Sequence, residues 1–259
     1  MLAGWVQPLR AGALTPLHRR EPIFNVPGVV LCLLGIFFAV HLLRWALPPE
    51  QNAWLTAALA FIPGRLGGFA AELPGGQVAV ATAFVTHLLV HGDLTHLVIN
   101  SAWLLAFGSP VARRTSTVRF LAFFALTGIA GALLYLAVNG AVLILLVGAS
   151  GAISGLMGAA FRFLFTGIAN ATGGPVDMQA APLTSLSATL RDRRVMTAVA
   201  GWTLLNVLLA SGAAGLTEAA GIAWEAHLGG FFAGLLLYGF FEPPRSIDDE
   251  EHNDVAPAA

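Results

Sequence analysis

Long apolar stretches, separated by short polar ones, run along most of the chain. Six of them approach or reach the roughly 20 apolar residues that a helix needs to span a bilayer, at 26–47, 94–109, 118–138, 150–168, 195–210 and 222–241. This pattern predicts an all-α fold, a polytopic membrane protein built as a six-helix transmembrane bundle. It also predicts three parts: a cytoplasmic N-terminal segment over 1–25, a membrane domain over 26–241, and an acidic cytoplasmic tail over 242–259 that we expect to be disordered.

Composition agrees with a membrane protein and excludes an ordinary soluble one. Hydrophobic residues make up 57% of the 259 residues and charged residues only 10%, whereas soluble domains carry roughly 25% charged residues. The net charge of -1 and the absence of a basic cluster give no indication of a nucleic-acid partner. A single cysteine, Cys32, excludes an intramolecular disulfide and a cysteine-based metal cluster.

The arginines predict the orientation of the chain. All thirteen basic residues are arginines, and with six crossings eleven of them fall on one side of the membrane, while only Arg44 and Arg65 fall on the other. Positively charged connections stay cytoplasmic, so both termini are expected inside and the connections after spans one, three and five outside. The all-Arg, Ala- and Gly-rich composition suggests a bacterial inner membrane.

Three connections have distinctive compositions. The outer connection 48–93 holds a short apolar stretch, 54–62, bracketed by prolines, for which we expect a helix lying in the membrane interface. The connection 139–149 is apolar and is expected to be a non-helical loop packed on protein. The connection 169–194 is rich in Gly, Pro, Ser and Thr and is expected to be a flexible cytoplasmic loop.

Four polar residues on three spans are expected at similar depth near the outer face. Ser150 opens span four, and His227 lies about five residues into span six, roughly 8 Å below its outer end at 1.5 Å per residue. His96 and Asn100 lie in the outer half of span two, four residues apart and therefore on one helix face. Because such groups are costly inside a bilayer, their clustering predicts a water-accessible site.

These residue types suit acyl transfer. A serine hydroxyl needs a base to become a nucleophile, and neutral histidine is the usual base near pH 7. His96, the Asn100 amide and backbone N–H groups near Ser150 are suitable donors to an oxyanion. Glu225 lies two residues from His227 and points away from its helix face, so a Ser–His dyad is favoured over a triad.

Three motifs in register with these spans resemble the rhomboid family of intramembrane serine proteases. They are the Gly-x-Ser-Gly stretch Gly148-Ala149-Ser150-Gly151, the His-x4-His-x3-Asn pattern of His91, His96 and Asn100, and the stretch Ala226-His227-Leu228-Gly229-Gly230 followed by Gly234. Phe61-Ile62-Pro63 and Arg65 look like the family's first outer loop. The resemblance covers roughly residues 26–241.

The resemblance implies a six-span bacterial rhomboid without cofactor or metal. Ser150 would attack a peptide bond of a client helix, with His227 as base and then acid. His96, Asn100 and the Ser150 amide would form the oxyanion hole. His91, Gly148, Gly151 and Gly230 would be structural residues near the site, and spans two and five would part to admit the client, with Trp202 as a candidate gate residue.

The implied partners are single-span or polytopic membrane proteins and the lipid bilayer. Two positions depart from the family. Ser154 stands where an aromatic residue often supports the catalytic histidine, and no acidic residue near Ala112 is available to pair with Arg114.

Other interpretations of the same residues remain open. The small residues around Ser150 and His227 also have the small-xxx-small spacing of closely packed membrane helices, and His96 and Asn100 could only join helices by hydrogen bonds. An inactive rhomboid-like protein would bind client helices without cutting them. A transporter or metal carrier could use His91, His96 and His227 as zinc ligands, although no carboxylate or broken helix supports it. The signatures of a zinc metalloprotease and of an α/β-hydrolase are absent.

Overall fold

The computed structural model describes residues 26–171, 178–210 and 223–243. The predicted segment 1–25, the first residue of the predicted sixth span, and the tail from 244 lie outside these residues. Over the described residues the helices are α1 Gly28–Ala46, α2 Pro49–Leu59, α3 Gly76–Thr86, α4 Leu94–Trp103, α5 Ser109–Arg114, α6 Thr117–Asn139, α7 Ser150–Asn170, α8 Leu186–Arg191, α9 Arg193–Ala210 and α10 Trp224–Leu237. A π-helical turn, Leu104–Gly108, joins α4 to α5.

The predicted fold class is confirmed: the protein is an all-α, multi-pass membrane protein. Four described helices are long and apolar enough to cross a membrane, at Gly28–Ala46, Leu94–Arg114, Thr117–Asn139 and Ser150–Asn170. The predicted fifth and sixth spans are also helical, as α9 and α10, but α9 opens on two arginines and α10 has only 14 residues before a 3-10 turn. The second span continues through its π turn to Arg114, beyond the predicted end at 109.

Helix α7 is the central helix of the bundle. Over an apolar 18-residue stretch of α7, 72% of the residues are buried, against 22–39% over the corresponding stretches of the other three spans. The helix owes this position to its small residues, which let neighbouring helices approach closely. Thr127 of α6 packs directly on Gly155, and its hydroxyl also reaches the carbonyl of Ala152 at 3.3 Å.

Helices α7 and α10 are in backbone contact. A Cβ atom added to Gly230 would collide with the carbonyl oxygen of Gly151, and one added to Gly234 would collide with that of Gly155. The same holds in the other direction at Gly158, which faces the carbonyl oxygen of Phe231. This contact fixes how α7 and α10 face each other, and these two helices carry Ser150 and His227.

The connection 48–93 contains more helix than the sequence predicts. The expected interfacial helix over 54–62 is α2, which begins earlier, at Pro49, and ends at Leu59. Helix α3 was not predicted, because its apolar run is too short to span and begins on glycines. The loop after α6 is non-helical, as predicted, and its Leu146 exchanges two backbone hydrogen bonds with Phe61, at 2.8 and 3.0 Å.

The connection 169–194, which we predicted to be a flexible loop, contains helix in its described C-terminal part. Residues Leu186–Arg191 form α8, whose N-cap Ser185 accepts a hydrogen bond from the Ala188 amide. Just before it, the carbonyl of Thr184 accepts two hydrogen bonds from the Arg162 guanidinium, at 2.9 and 2.8 Å. A buried arginine on α7 thus holds the connection against the bundle.

Candidate active site

Ser150 is the first residue of α7, and the turn before it depends on glycine. Gly148 has a φ of 116°, in the left-handed region that residues with a Cβ atom avoid. A Cβ atom there would also lie 2.7 Å from the His96 ring. The Gly148 amide donates to the carbonyl of His87 at 3.0 Å. The predicted structural glycine therefore sets both the start of α7 and its distance from α4.

The structure brings Ser150 and His227 together. The Nε2 atom of His227, near the start of α10, lies 2.8 Å from the Ser150 hydroxyl oxygen. The two residues are 77 positions apart in the chain. Next to this pair the backbones of α7 and α10 touch, at Gly151 and Gly230, two of the glycines predicted to be structural.

A third residue, Asn206 on α9, completes the hydrogen bonding of the imidazole. Its side-chain oxygen lies 2.8 Å from Nδ1 of His227, and its side-chain nitrogen donates to the carbonyl of Trp202 at 2.9 Å. The sequence reasoning missed this residue. Its one indication in the sequence is that residue 206 is the single polar residue in the apolar stretch 204–209.

Helix α9 also supplies the aromatic neighbour of His227. The Trp202 ring lies 6.4 Å from the imidazole, centroid to centroid, at an interplanar angle of 32°. Trp202 lies 6.3 Å from the Phe231 ring by the same measure. Ser154, where the family resemblance leads one to expect an aromatic residue, is buried within α7. The aromatic ring near His227 comes from α9 instead.

His96 is held with a defined ring orientation. Asp93 caps α4 by accepting a hydrogen bond from the His96 amide at 2.8 Å. The Gly92 amide donates to Nδ1 of the His96 ring at 3.4 Å. Because Nδ1 is thereby an acceptor, the neutral ring carries its proton on Nε2. That nitrogen lies on the side of Gly148, two residues before Ser150.

Asn100 lies one turn after His96 on the same helix and is buried, with 3% of its surface exposed. Its amide nitrogen donates to the carbonyl of His96 at 2.9 Å. An amide nitrogen has two hydrogens, so this bond leaves the second one for another acceptor.

His91 joins the connection 48–93 to the bundle. Its ring lies against Phe37 of α1 and against His96, with centroid distances of 4.9 and 5.3 Å. Its carbonyl accepts a hydrogen bond from the Arg44 guanidinium at 2.6 Å, and the same guanidinium binds Thr56 of α2 at 2.9 Å.

Glu225 does not orient His227. The carboxylate is buried and accepts a hydrogen bond from the Asn139 side chain of α6 at 2.9 Å. It therefore joins α6 to α10 near the beginning of α10, as a structural contact beside the site.

The fold and the site define a class: a multi-pass membrane protein in which a serine hydroxyl and an imidazole from two helices meet within the bundle. Comparison with protein families makes the assignment specific. The family model described as the Rhomboid domain matches residues 79–243, and the chain belongs to the rhomboid family. No curated protein matches the chain. The family implies intramembrane serine proteolysis, acting on membrane proteins within the bilayer.

Proposed function

We propose that the protein is an intramembrane serine endopeptidase in which Ser150 and His227 form the catalytic dyad. Its reaction is the hydrolysis of a peptide bond in or near a transmembrane segment of a client protein, near the outer face of the membrane. The observation that carries this proposal is the 2.8 Å distance between the Ser150 hydroxyl oxygen and Nε2 of His227, which is a hydrogen-bonding distance between nucleophile and base.

Each half-reaction consists of one acyl transfer and two proton transfers, one to His227 and one from it. Ser150 Oγ attacks the client carbonyl carbon while its proton passes to Nε2 of His227. The resulting tetrahedral oxyanion collapses, the C–N bond breaks, and the imidazolium returns the proton to the leaving amine. Water then attacks the acyl-serine ester with His227 again as base, releasing the new carboxyl end and restoring Ser150.

The oxyanion is stabilised by donors on two helices. His96 is the first, because the hydrogen bond from Gly92 to Nδ1 leaves an Nε2–H beside Gly148. The Ser150 amide is the second, because the first N–H groups of a helix have no partner within it. Asn100 is the third, through the amide hydrogen that the His96 carbonyl does not use. His91 is proposed to be structural.

We place residues 26–241 in one protease domain, between a cytoplasmic segment over 1–25 and a cytoplasmic acidic tail over 242–259. The expectation of disorder does not hold for the first residue of this tail, because Glu242 is buried in an ion pair with Arg114. The proposed membrane is the bacterial inner membrane, with both termini in the cytoplasm. The arginine distribution supports this orientation. Arg114 ends α5, 20 residues after the helical span begins at Leu94 beside the site, so a basic residue lies at the end of the bundle far from Ser150.

A three-histidine metal site is disfavoured by the contacts of His227. Both ring nitrogens are already engaged, Nε2 with Ser150 and Nδ1 with Asn206. An imidazole binds a metal through one of these nitrogens. His227 would therefore have to give up one of two hydrogen bonds to act as a ligand, and the proposed reaction needs no metal.

The test is cleavage of a single-span test substrate by the purified protein in liposomes. Wild type is compared with Ser150→Ala and His227→Ala, each with and without a chelator. We expect cleavage by wild type only, unaffected by the chelator. Equal cleavage by both variants would refute the dyad, loss of activity with the chelator would favour a metal-dependent reaction, and capture of the helix without cleavage would favour a client-binding protein.

A further inference from the structure

We propose that Asn206 is a positioning residue that holds His227 in the tautomer and orientation that the reaction needs, so that the pair works as a Ser–His–Asn arrangement. This inference rests on the proposed function. Asn206 lies on α9, the helix that precedes α10, which carries His227.

The orientation of the Asn206 amide follows from its second contact. Its side-chain nitrogen donates to the carbonyl of Trp202 at 2.9 Å, and a carbonyl only accepts. The side-chain oxygen must therefore face His227, where it also only accepts. Nδ1 at 2.8 Å from this oxygen must carry a hydrogen in the neutral ring.

The tautomer decides whether the imidazole is a base for Ser150. With its hydrogen on Nδ1, neutral His227 has its lone pair on Nε2, which faces the Ser150 hydroxyl at 2.8 Å. With the hydrogen on Nε2, the ring could only donate to Ser150 Oγ and could not remove its proton. Asn206 favours the first form, because only that form gives its side-chain oxygen a hydrogen bond.

The same contact stabilises the charge that develops during the reaction. When His227 accepts the serine proton, its Nδ1–H becomes part of an imidazolium and the hydrogen bond to Asn206 becomes charge-assisted, which makes it stronger. Asn206 is buried, with 1% of its surface exposed, so water cannot easily replace this acceptor. A neutral amide supplies it without placing a carboxylate in the membrane, where an unpaired charge is costly.

The position of Asn206 couples the base to α9. Trp202 and Asn206 are one helical turn apart, and both contact the His227 ring. α9 packs on the bundle through side chains, those of Val195 and Val199 among them. A displacement of α9 from α10 would remove the hydrogen bond and the aromatic neighbour of His227 together.

The first test is steady-state cleavage of the single-span substrate over a range of pH in liposomes. Asn206→Ala is expected to lower kcat about 10- to 100-fold with KM little changed, because it removes an interaction that strengthens in the transition state. Asn206→Asp is expected to restore most of kcat and to move the acid limb of the pH–rate profile upward, because a carboxylate stabilises the imidazolium. Leu205→Ala, at an exposed position of the same helix, is the control and should keep the wild-type profile.

The second test reads the tautomer without requiring turnover. The chain is labelled with ¹⁵N-histidine, and the His227 signals are assigned by their loss in His227→Gln. In wild type and in Ser150→Ala we expect a protonated Nδ1 and a bare Nε2. In Asn206→Ala we expect a mixture of the two tautomers. This measurement still decides the question if Asn206→Ala proves inactive because it folds poorly.

The outcomes separate this inference from the proposed function. If Ser150→Ala and His227→Ala are inactive but Asn206→Ala and Asn206→Asp keep wild-type kcat and pH profile, the dyad stands and the role of Asn206 is refuted. A protonated Nε2 in the wild-type protein would also refute it. If Ser150→Ala cleaves as well as wild type, the proposed function itself fails.

Discussion

Arg114 and Glu242 form a buried ion pair, although they are 128 positions apart in the chain. The Arg114 guanidinium also donates to the carbonyls of Met178 and Ala181, at 2.6 and 2.8 Å, and lies 4.2 Å from the centre of the Phe163 ring. One arginine thus joins the end of α5 to the connection after α7 and to the residues that follow α10.

Breaking this pair should destabilise the bundle. In Glu242→Ala we expect the free energy of unfolding to fall by about 3 kcal/mol, because a buried guanidinium loses its charged partner. Thermal unfolding in detergent measures the change. Glu72→Ala, which removes an exposed acidic residue of the connection 48–93, is the matched control. Equal unfolding temperatures for the two variants would show that the carbonyls of Met178 and Ala181 are sufficient partners.

An added methyl group at Gly230 should separate α7 and α10, the two helices that carry Ser150 and His227. Gly230→Ala would drive a Cβ atom into the backbone of Gly151, and we expect loss of cleavage together with a lower unfolding temperature. Gly35→Ala is the control, because nothing lies within 4 Å of a Cβ atom there. Alanine has the higher helix propensity, so the control should unfold at the same or a slightly higher temperature.

The contact between Asn139 and Glu225 should contribute to stability and not to the chemical step. Asn139→Ala leaves the buried Glu225 carboxylate without this donor, and we expect the free energy of unfolding to fall by about 1–3 kcal/mol. Glu225→Gln keeps an acceptor oxygen for Asn139 and should be milder. Once the protein is folded, kcat of both variants should stay within a few-fold of wild type. A large fall in kcat at unchanged stability would instead place Glu225 in the reaction.

His96 and Asn100 should contribute unequally to the reaction. His96→Ala removes the Nε2–H beside Gly148, and we expect kcat to fall about 100-fold or more, as for other oxyanion donors. Asn100→Ala should cost less, because one of its amide hydrogens is already used by the His96 carbonyl. Initial rates with the single-span substrate measure both. An equal or larger loss for Asn100→Ala would reverse the proposed order of the two donors.

Hydropathy predicted the helical bundle and its approximate spans, because apolar runs of about 20 residues have the length that a membrane-spanning helix needs. Ser150 and His227 could be predicted as a pair, because each lies in a motif that resembles the rhomboid family and both were expected at a similar depth on two different spans. Their partner Asn206 was not predictable. A single asparagine in an apolar helix shows that a polar contact exists, but the rotation of α9 against α10 decides which group it meets.

Two further features were invisible in the sequence for similar reasons. The partner of Arg114 was sought near Ala112, whereas Glu242 reaches it only after the chain has crossed the bundle. Helix α3 is too short to be recognised as a span, and its residues were assigned to the connection 48–93 with no helix of their own. Long-range pairs and short helices in the connections depend on how the spans are arranged, and the hydrophobic pattern of one segment contains no information about that arrangement.

The backbone contact between α7 and α10 has a consequence for how the protein responds to its lipid environment. Where Gly151 meets Gly230 no side chain lies between the helices, so there is little that lateral pressure or a change in bilayer thickness could compress. The distance between the Ser150 and His227 side chains should therefore be nearly constant from one lipid mixture to another. α9, which packs through larger side chains such as Val199 and Trp202, has more room to shift, and any lipid dependence of the rate should arise there.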